Sequence, residues 1–375
     1  MSDRLKVMTI LGTRPEIIRL AEVIRAFDRY FDHTLVHTGQ NWDYTLNQIF
    51  FEDLGLREPD HYLDSAGGTL GETIGNIISR SYVLLQREAP AALLVLGDTN
   101  SALCAIPAKR LKIPIFHMEA GNRCFDENVP EEINRKIVDH ISDINLPYTE
   151  HARRYLLAEG VRRDHIFVTG SPMAEVLHKY RDRIEASRIL NRLDLRPDGY
   201  ILVSAHREEN IDNEDNFSSL MAAIDAVAEK YQKPVIYSTH PRSLDRIKQR
   251  GLTLHPLVRI LEPFGFFDYN KLQLGAFCVL SDSGTLSEES ALLEFTGVLI
   301  RTSTERPEAL DGGSIVIGGI EAGGIAQAIE LARSMKENSE PGVLARDYRD
   351  VNVSAKVVKI VQSYTGIVNK VVWGK

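Results

Sequence analysis

Short apolar runs alternate with longer amphipathic stretches along most of the chain. The runs are as short as buried strands and rich in Val, Ile and Leu, whereas the stretches between them repeat apolar residues every three or four positions, as helices do. Alternation of this kind is typical of βαβ units and a parallel sheet. In the first half the pattern predicts strands at 6–11, 34–37, 92–96, 114–118, 144–146 and 165–168, and helices at 69–86, 101–111 and 131–141.

A second alternating series follows, with strands predicted at 200–204, 235–238, 258–261, 277–281, 298–300 and 315–317. Two doubly wound, Rossmann-like α/β domains are the simplest interpretation of two such series. We predict a first domain over residues 1–170 and a second over 171–350. Residues 351–375 are predicted to form a helix and tail that pack back on the first domain.

Composition narrows the class of protein further. With 375 residues, 43% of them apolar and 26% charged, the chain has ample material for two cores. No apolar stretch reaches the roughly 20 residues that cross a bilayer, and the first residues lack the apolar core of a signal peptide, so we expect a cytoplasmic protein. The net charge of −8 argues against nucleic acid or an anionic membrane as partner.

The spacing of cysteines and histidines gives no sign of a metal. Cys104, Cys124 and Cys278 lie far apart and form no CxxC pair. Neither HxH nor HExxH occurs among the histidines. We therefore predict neither a zinc site nor a dithiol redox centre.

In open α/β sheets, ligands bind beyond the carboxyl ends of the strands, so polar residues there are candidates for function. After the first strand, Gly-Thr-Arg-Pro at 12–15 presents backbone amides and Arg14 at a helix N-terminus. This suits a phosphate, although an ordinary loop has the same composition. Asp98 and Glu119 end two neighbouring strands, and Glu131 opens the following helix. Asp98 alone could be a helix cap, but three acids at one edge could act as general acids and bases.

The second series also carries polar residues at its strand ends. The candidates are His206, His240, Ser283, Gly284, Glu289 and Arg306. The Ser-Gly turn has small residues whose amides can approach a diphosphate, and Glu289 could accept hydrogen bonds from ribose hydroxyls. Arginine, histidine and helix N-termini together indicate an anion site, most simply for a pyrophosphate. Because G-x-G-x-x-G and G-x-x-x-x-G-K-[ST] are both missing, a nucleotide sugar fits better than a nicotinamide or a P-loop ATPase.

Seven motifs occur in order along the chain. They are Gly-Thr-Arg-Pro-Glu at 12–16, Gly-Asp-Thr at 97–99, His-Met-Glu-Ala-Gly at 117–121, Pro-Glu-Glu-Ile-Asn-Arg at 130–135, His-Arg at 206–207, Asp-Ser-Gly with Glu-Glu at 282–284 and 288–289, and Glu-Arg-Pro-Glu at 305–308. This set resembles the non-hydrolysing UDP-N-acetylglucosamine 2-epimerase family. The resemblance implies a glycosyltransferase-B type fold with an interdomain cleft, a homodimer, a UDP-N-acetyl sugar as substrate, and no cofactor or metal.

The resemblance also implies roles for individual residues. Asp98, Glu119 and Glu131 match catalytic acids of the family, and His206 joins the catalytic set near the diphosphate. The substrate-binding matches are Arg14, Arg19, His240, Ser283, Gly284, Glu289 and Arg306. For the uracil, which the family often places against an aromatic residue, the candidates are Phe266, Phe267 and Tyr269.

Three departures from the family pattern bear on the substrate. Arg19 replaces a common lysine, Gly-Gln-Asn-Trp at 39–42 replaces Gln-His-Arg, and Asn122 replaces a leucine. With the extended tail, they resemble the branch that converts UDP-2-acetamido-2,6-dideoxy-L-talose to UDP-N-acetyl-L-fucosamine for capsule or O-antigen. Trp42 or Phe125 would suit the methyl group of a 6-deoxy sugar, although either could be a core aromatic. The alternatives are a UDP-N-acetylglucosamine 2-epimerase giving UDP-N-acetylmannosamine, a glycosyltransferase of the same fold, or a non-catalytic nucleotide-sugar sensor.

Overall fold

The computed structural model describes residues 4–40, 48–302, 304–340 and 342–375. The chain divides into two compact units. Unit 1 comprises Met1–Lys179 and Asp347–Lys375, and unit 2 comprises Tyr180–Arg346. Within the described part of the chain, no helix is both long and apolar enough to cross a membrane.

Strands and helices alternate through both units. The strands are β1 (Lys6–Leu11), β2 (Asp32–His37), β3 (His61–Tyr62), β4 (Ala92–Leu96), β5 (Ile115–Met118), β6 (Ile144–Leu146), β7 (Ile201–Ser204), β8 (Val235–Ser238), β9 (Val258–Leu261), β10 (Cys278–Ser281), β11 (Gly297–Leu299) and β12 (Val316–Ile317). The helices are α1 (Arg14–Tyr30), α2 (Gln48–Leu54), α3 (Leu70–Glu88), α4 (Ala105–Arg110), α5 (Pro130–Ile141), α6 (Glu150–Ala158), α7 (Met173–Ala186), α8 (Ile189–Arg192), α9 (Glu208–Ile211), α10 (Glu214–Tyr231), α11 (Pro241–Gln249), α12 (Phe266–Gly275), α13 (Leu286–Leu293), α14 (Pro307–Asp311), α15 (Ala322–Glu337) and α16 (Val353–Val371).

Unit 1 is built on a parallel sheet with the order β3-β2-β1-β4-β5-β6. Every residue of β4 is buried, as expected for a strand that helices cover on both faces. The chain winds outward from β1 in one direction and from β4 in the other, so the carboxyl ends of β1 and β4 flank the switch point where such sheets bind ligands. The turns after β1, β4 and β5 therefore carry the candidate site of this unit.

Helix α16 belongs to unit 1, although it ends the chain. Its buried residues include Val353, Val357 and Val361, spaced four apart, and this apolar stripe packs against α1. Helix α1 buries Ile17 and Leu20 in the same way and has proline in its first turn, where a missing N–H has no cost.

Unit 2 repeats the plan with the order β12-β11-β10-β7-β8-β9, again all parallel. Its core lies between the sheet and the helices α10 and α15, and includes Cys278, which has no disulfide partner. Val203 and Phe217 are fully buried in the same cluster. The predicted class, two doubly wound α/β units, is confirmed.

The predicted strand bounds agree with the structure at 6–11, 92–96, 144–146, 235–238 and 258–261. The strand predicted at 165–168 is wrong, because Arg163–His165 is a 3₁₀ turn and only an isolated bridge joins Asn145 to Ile166. The sequence pattern also missed β3, which has only two residues. The helix predicted at 101–111 divides into a 3₁₀ turn, Asn100–Cys104, and α4.

Candidate active site

The turn between β1 and α1 holds Arg14 and Glu16. The Arg14 guanidinium lies 5.8 Å from the ring centre of Phe50, a cation–π contact with α2. Glu16 points inward instead, and only 1% of its surface is exposed. Its Oε2 accepts from the backbone N–H of Gly12 at 3.1 Å and from Thr13 Oγ1 at 2.8 Å. Glu16 ends the Gly-Thr-Arg-Pro-Glu motif, and the sequence alone predicts no role for it.

Asp98 follows β4 and is held by Arg135 of α5. Nε and Nη2 of Arg135 donate to Asp98 Oδ2 at 2.9 and 2.6 Å. Among the described residues nothing donates to the other carboxylate oxygen, Oδ1. Asn134 Nδ2 donates to the Asp98 carbonyl oxygen at 3.0 Å, so α5 fixes both the backbone and the side chain of Asp98. Asp98 is thus an ion-paired acid rather than a simple helix cap.

Glu119 follows β5 and has a left-handed backbone with φ of 64°. Such a conformation costs a non-glycine residue on the order of 1–3 kcal/mol and is concentrated at functional sites. The Glu119 side chain is buried and forms an ion pair with Arg19 of α1, while Asn122 Nδ2 donates to its Oε1 at 3.2 Å. Arg19 and Asn122, two of the three departures from the family pattern, therefore both contact the same acid.

A buried network ties the turns of Asp98 and Glu119 together. His117 Nε2 lies 2.8 Å from the carbonyl oxygen of Gly97, which can only accept, so this nitrogen donates. The other ring nitrogen is 3.0 Å from Asp139, which also accepts from Arg123 Nη1 at 2.7 Å and from the N–H of Gly121. Burial acts to raise the pKa of Asp139, but hydrogen bonds and charges of His117 and Arg123 outweigh it and hold that pKa below its usual value.

Helix α5 supplies the third acid. Glu131 is half-buried in its first turn and lies four residues before Arg135, so the two share one face of the helix. Glu132 points elsewhere, accepting from the N–H groups of Cys124 and Phe125 and from Arg135 Nη1. The structure thus places all three predicted acids in unit 1, with Asp98 and Glu119 after adjacent strands and Glu131 on the helix that binds Asp98.

Phe125 and Trp42 are the two aromatic candidates for contact with a 6-methyl group of the sugar. Phe125 is 69% exposed and contacts Tyr155 edge-to-face at 5.4 Å, so it is not a core aromatic. Trp42 lies outside the described residues.

In unit 2, Asp282 at the end of β10 organises the turn after β7. Its carboxylate accepts from the N–H groups of His206 and Arg207 at 3.0–3.1 Å and from Asn210 Nδ2 at 3.1 Å. Burial raises the pKa of Asp282, against the lowering effect of these hydrogen bonds. His206 Nδ1 is 3.3 Å from the same carboxylate, so the ring of His206 lies beside Asp282.

Gly284 lies against a buried acid that sequence reasoning missed. A Cβ at this position would come 2.4 Å from Glu305 Oε1, so a larger residue does not fit unless Glu305 moves. Glu305 in turn accepts from Arg207 Nη2 at 3.0 Å and from Arg301 Nη1 at 2.7 Å. The Ser-Gly turn therefore lies against a carboxylate that two arginines share, and one of them, Arg207, would have its Nη2 3.7 Å from a Cβ at Gly284.

Of the remaining binding candidates, Arg306 and Glu289 are buried, and Ser283 and His240 are half-buried. Arg306 is buried beside Glu288 at 3.1 Å, and Glu289 accepts from Gln273 Nε2 at 2.6 Å. Ser283 Oγ lies 2.9 Å from Thr285 Oγ1 in the turn before α13. His240 acts as the N-cap of α11, where its Nδ1 accepts from the N–H of Arg242 at 3.3 Å.

The three aromatic candidates for the uracil lie on α12. Phe266 and Phe267 are buried against each other, and both contact Tyr180. Arg183 lies 4.2 Å from the centre of the Phe267 ring. Tyr269 is half-buried at the edge of the unit 2 core.

The sequence contains partial signals for the residues that were missed. Arg135 closes the same motif as Glu131, and their spacing of four is a helical-face signal. Glu16 and Glu305 also lie inside these motifs, but each has partners far away in the sequence. Thr99 and Ser101 are 83 and 85 positions from Glu16, and Arg207 is 98 positions from Glu305, so no local pattern identifies these contacts.

The fold, two doubly wound and all-parallel α/β units, is of the glycosyltransferase-B type. A family model described as UDP-N-acetylglucosamine 2-epimerase matches residues 25–362. The chain therefore belongs to the UDP-N-acetylglucosamine 2-epimerase family, and the predicted enzyme class, a non-hydrolysing UDP-sugar 2-epimerase, is confirmed at the level of the family.

Two solved structures and one further relative support this placement. The UDP-N-acetylglucosamine 2-epimerase from Rickettsia bellii is 46% identical, with a TM-score of 0.91, over 99% of this chain and 100% of that one. Methanocaldococcus jannaschii UDP-GlcNAc 2-epimerase, in complex with UDP-GlcNAc and UDP, is 33% identical with a TM-score of 0.90, over 96% and 100%. The UDP-2,3-diacetamido-2,3-dideoxy-D-glucuronate 2-epimerase of Pseudomonas aeruginosa is 35% identical over 321 residues, covering 84% of this chain and 88% of its own.

Proposed function

We propose that this chain inverts carbon 2 of a UDP-N-acetylhexosamine by eliminating UDP and adding it back through a glycal. The observation that carries the proposal is the pair of acids, Asp98 and Glu119, at adjacent strand ends of unit 1, each held by its own arginine. Groups fixed in this way can transfer protons at a defined position, which a sugar sensor does not need.

The chemistry explains why the reaction needs UDP to leave. The hydrogen on carbon 2 of a hexosamine is not acidic, because no carbonyl group is adjacent, so direct deprotonation has a prohibitive barrier. When the C1–O bond breaks, its electron pair goes to the diphosphate and positive charge develops at carbon 1. A carboxylate then takes the proton from carbon 2, leaving a C1=C2 double bond. Re-addition of UDP and protonation of carbon 2 on the opposite face complete the inversion.

Unit 1 supplies the proton-transfer groups in this proposal. Asp98, Glu119 and Glu131 are the candidates for base and acid, one for each face of carbon 2. Oδ1 of Asp98 has no donor among the described residues, which supports its use on the substrate. Arg14, in the turn after β1, is a candidate to contact the diphosphate through a helix N-terminus.

Unit 2 supplies the groups that bind UDP. Its candidates for the diphosphate are His206, His240, Ser283, Gly284 and Arg306, and its candidate for the ribose is Glu289. Cations and backbone amides stabilise the charge that develops on the leaving diphosphate, which lowers the barrier to C1–O cleavage. The support here is that Arg207, which donates to Glu305, lies beside Gly284 of the Ser-Gly turn.

For the substrate, we propose UDP-2-acetamido-2,6-dideoxy-L-talose, giving UDP-N-acetyl-L-fucosamine for capsule or O-antigen. Arg19 and Asn122 depart from the common family pattern, and both contact the proposed catalytic Glu119. Phe125, in the same loop as Asn122, exposes an apolar ring that suits a 6-methyl group.

UDP-N-acetylglucosamine, converted to UDP-N-acetylmannosamine, is the second candidate substrate. The Methanocaldococcus jannaschii enzyme, with 33% identity over nearly the whole of both chains, has a crystal structure in complex with UDP-GlcNAc and UDP. A homodimer is proposed from the family resemblance alone.

One experiment tests both the reaction and the substrate. The purified enzyme is incubated separately with the L-talo compound and with UDP-N-acetylglucosamine in deuterium oxide, without NAD or added metal. We expect deuterium at carbon 2 of the L-talo compound and its fuco epimer, and the same rate with a chelator present. Complete retention of the original hydrogen in both sugars would remove the 2-epimerase mechanism. Equal rates on the two substrates would remove the L-sugar assignment and leave the mechanism intact.

A further inference from the structure

Glu16 joins two turns that lie far apart in the sequence. In addition to Gly12 and Thr13 of its own turn, it accepts from Thr99 Oγ1 at 3.1 Å and from Ser101 Oγ at 2.5 Å. Thr99 is the residue directly after Asp98. One buried carboxylate thus connects the turn after β1 to the turn after β4.

The strand pairing between β1 and β4 does not extend as far as these two turns. The paired register between β1 and β4 runs from Val7 opposite Ala92 to Thr9 opposite Leu94, two residues before either strand ends. Beyond that point the two chains reach the switch point, where a ligand crevice opens. Glu16 bridges them there with four hydrogen bonds.

The contacts use both oxygens of a carboxylate. Oε2 accepts from Gly12, Thr13 and Thr99, and Oε1 accepts from Ser101. No lysine or arginine of the described chain forms an ion pair with Glu16, so its setting differs from those of Asp98 and Glu119. Its position three residues after the N-cap is that of a capping residue, but a cap alone does not account for the two hydroxyls from the other turn.

We propose that Glu16 is a positioning residue, which locks the turn of Asp98 to the turn of Arg14 so that the proton-transfer acid keeps a fixed place beside the substrate. This rests on the proposed function, because the benefit of the lock is catalytic. Glu16 itself does not touch the substrate in this proposal. Its loss lets the Asp98 turn shift, and a shift of about 1 Å at a reacting group can cost on the order of 10²-fold in rate.

The test compares Glu16→Gln and Glu16→Ala with a matched control, Glu72→Gln. Glu72 is also an acid in the first turn of a helix, α3, and accepts from the N–H of Gly68 at 2.7 Å within its own turn. We expect Glu16→Ala to lower kcat by about 10- to 100-fold with KM changed by less than about threefold. Glu16→Gln, which keeps the shape, should retain more activity than the alanine variant, and the control should match the wild type.

The rate of amide hydrogen exchange in the two turns shows whether Glu16 holds them together, without relying on activity. In Glu16→Gln we expect faster exchange in residues 97–101 as well as in 12–16, whereas Glu72→Gln should affect only its own turn. A change confined to 12–16 would reduce Glu16 to a local cap and overturn the proposal, as would an unchanged kcat in both Glu16 variants. If Glu16→Ala does not fold, Glu16→Gln and Ser101→Ala carry the test, and their double variant should lose less than the product of the single losses.

A wild-type protein without epimerase activity would bear on the proposed function rather than on the contacts of Glu16. It would remove the proposed function and with it the catalytic role of Glu16. Loss of kcat in the Glu16 variants of an active enzyme bears on the lock alone.

Discussion

Arg135 of α5 directs two N–H groups at a single oxygen of Asp98, at 2.9 and 2.6 Å. The same guanidinium reaches Glu132, which accepts from the backbone of the loop after Glu119. The orientation of Asp98 therefore depends on a residue 37 positions away in the sequence.

The first prediction concerns this pair. Arg135→Ala should lower kcat by about 10-fold or more, because Asp98 loses its orientation, and Arg135→Lys should restore only part of it, since an ammonium lacks the planar fork. The control is Lys136→Ala, which removes a neighbouring cation whose pair with Glu127 is exposed. Initial rates of deuterium incorporation at carbon 2 measure the effect, and equal rates in Arg135→Ala and wild type would contradict it.

The second prediction concerns the acids themselves. Asp98→Asn, Glu119→Gln and Glu131→Gln should each lower turnover on the order of 10²-fold or more, as removal of a proton-transfer group usually does. UDP affinity, measured by calorimetry on the same samples, should change much less. Near-normal turnover in any one variant would show that the substituted residue is not catalytic.

The third prediction concerns UDP. Arg306→Ala should weaken UDP binding by about 10-fold or more, because it removes the charge-assisted contact that we propose between Arg306 and the diphosphate. Since the substitution also leaves Glu288 buried without this partner, thermal unfolding has to confirm that the variant is folded. Arg333→Ala, which removes an arginine paired with Asp198 elsewhere in unit 2, serves as the control. Unchanged UDP affinity in a folded Arg306→Ala protein would count against the assignment.

The fourth prediction is a pH dependence of stability. Burial raises the pKa of Glu16 to about 7 from an ordinary 4.5, against the lowering effect of its hydrogen bonds. The folded state therefore holds this proton more tightly than the unfolded state. The stability that follows is fully present below about pH 4.5 and is lost as the pH rises through 7.

Glu16→Gln is neutral at every pH and isolates this effect. We expect the difference in Tm, wild type minus variant, to decrease between pH 5 and pH 8. A difference that stays constant across this range would show that Glu16 does not titrate there.

The sequence by itself determined the local elements and the class of fold. Five strands have the predicted bounds because a short run rich in apolar residues is a short-range property of the sequence. Motif spacing likewise selected the acids Asp98, Glu119 and Glu131 and the family. The strand predicted at 165–168 is wrong although its residues are locally apolar. Of these residues, only Ile166 forms a bridge to a strand, at Asn145.

Only the tertiary structure decided which residues hold the candidate site in place. Arg19 meets Glu119 across 100 positions, and Glu16 meets Ser101 across 85. Such pairs depend on the order of strands in the sheet. β1 lies between β2 and β4, and β3 lies at the edge beyond β2, so the turns after β1 and β4 are neighbours. Local periodicity contains no information on that order, and buried polar groups reveal their partners only when the strands that carry them are adjacent.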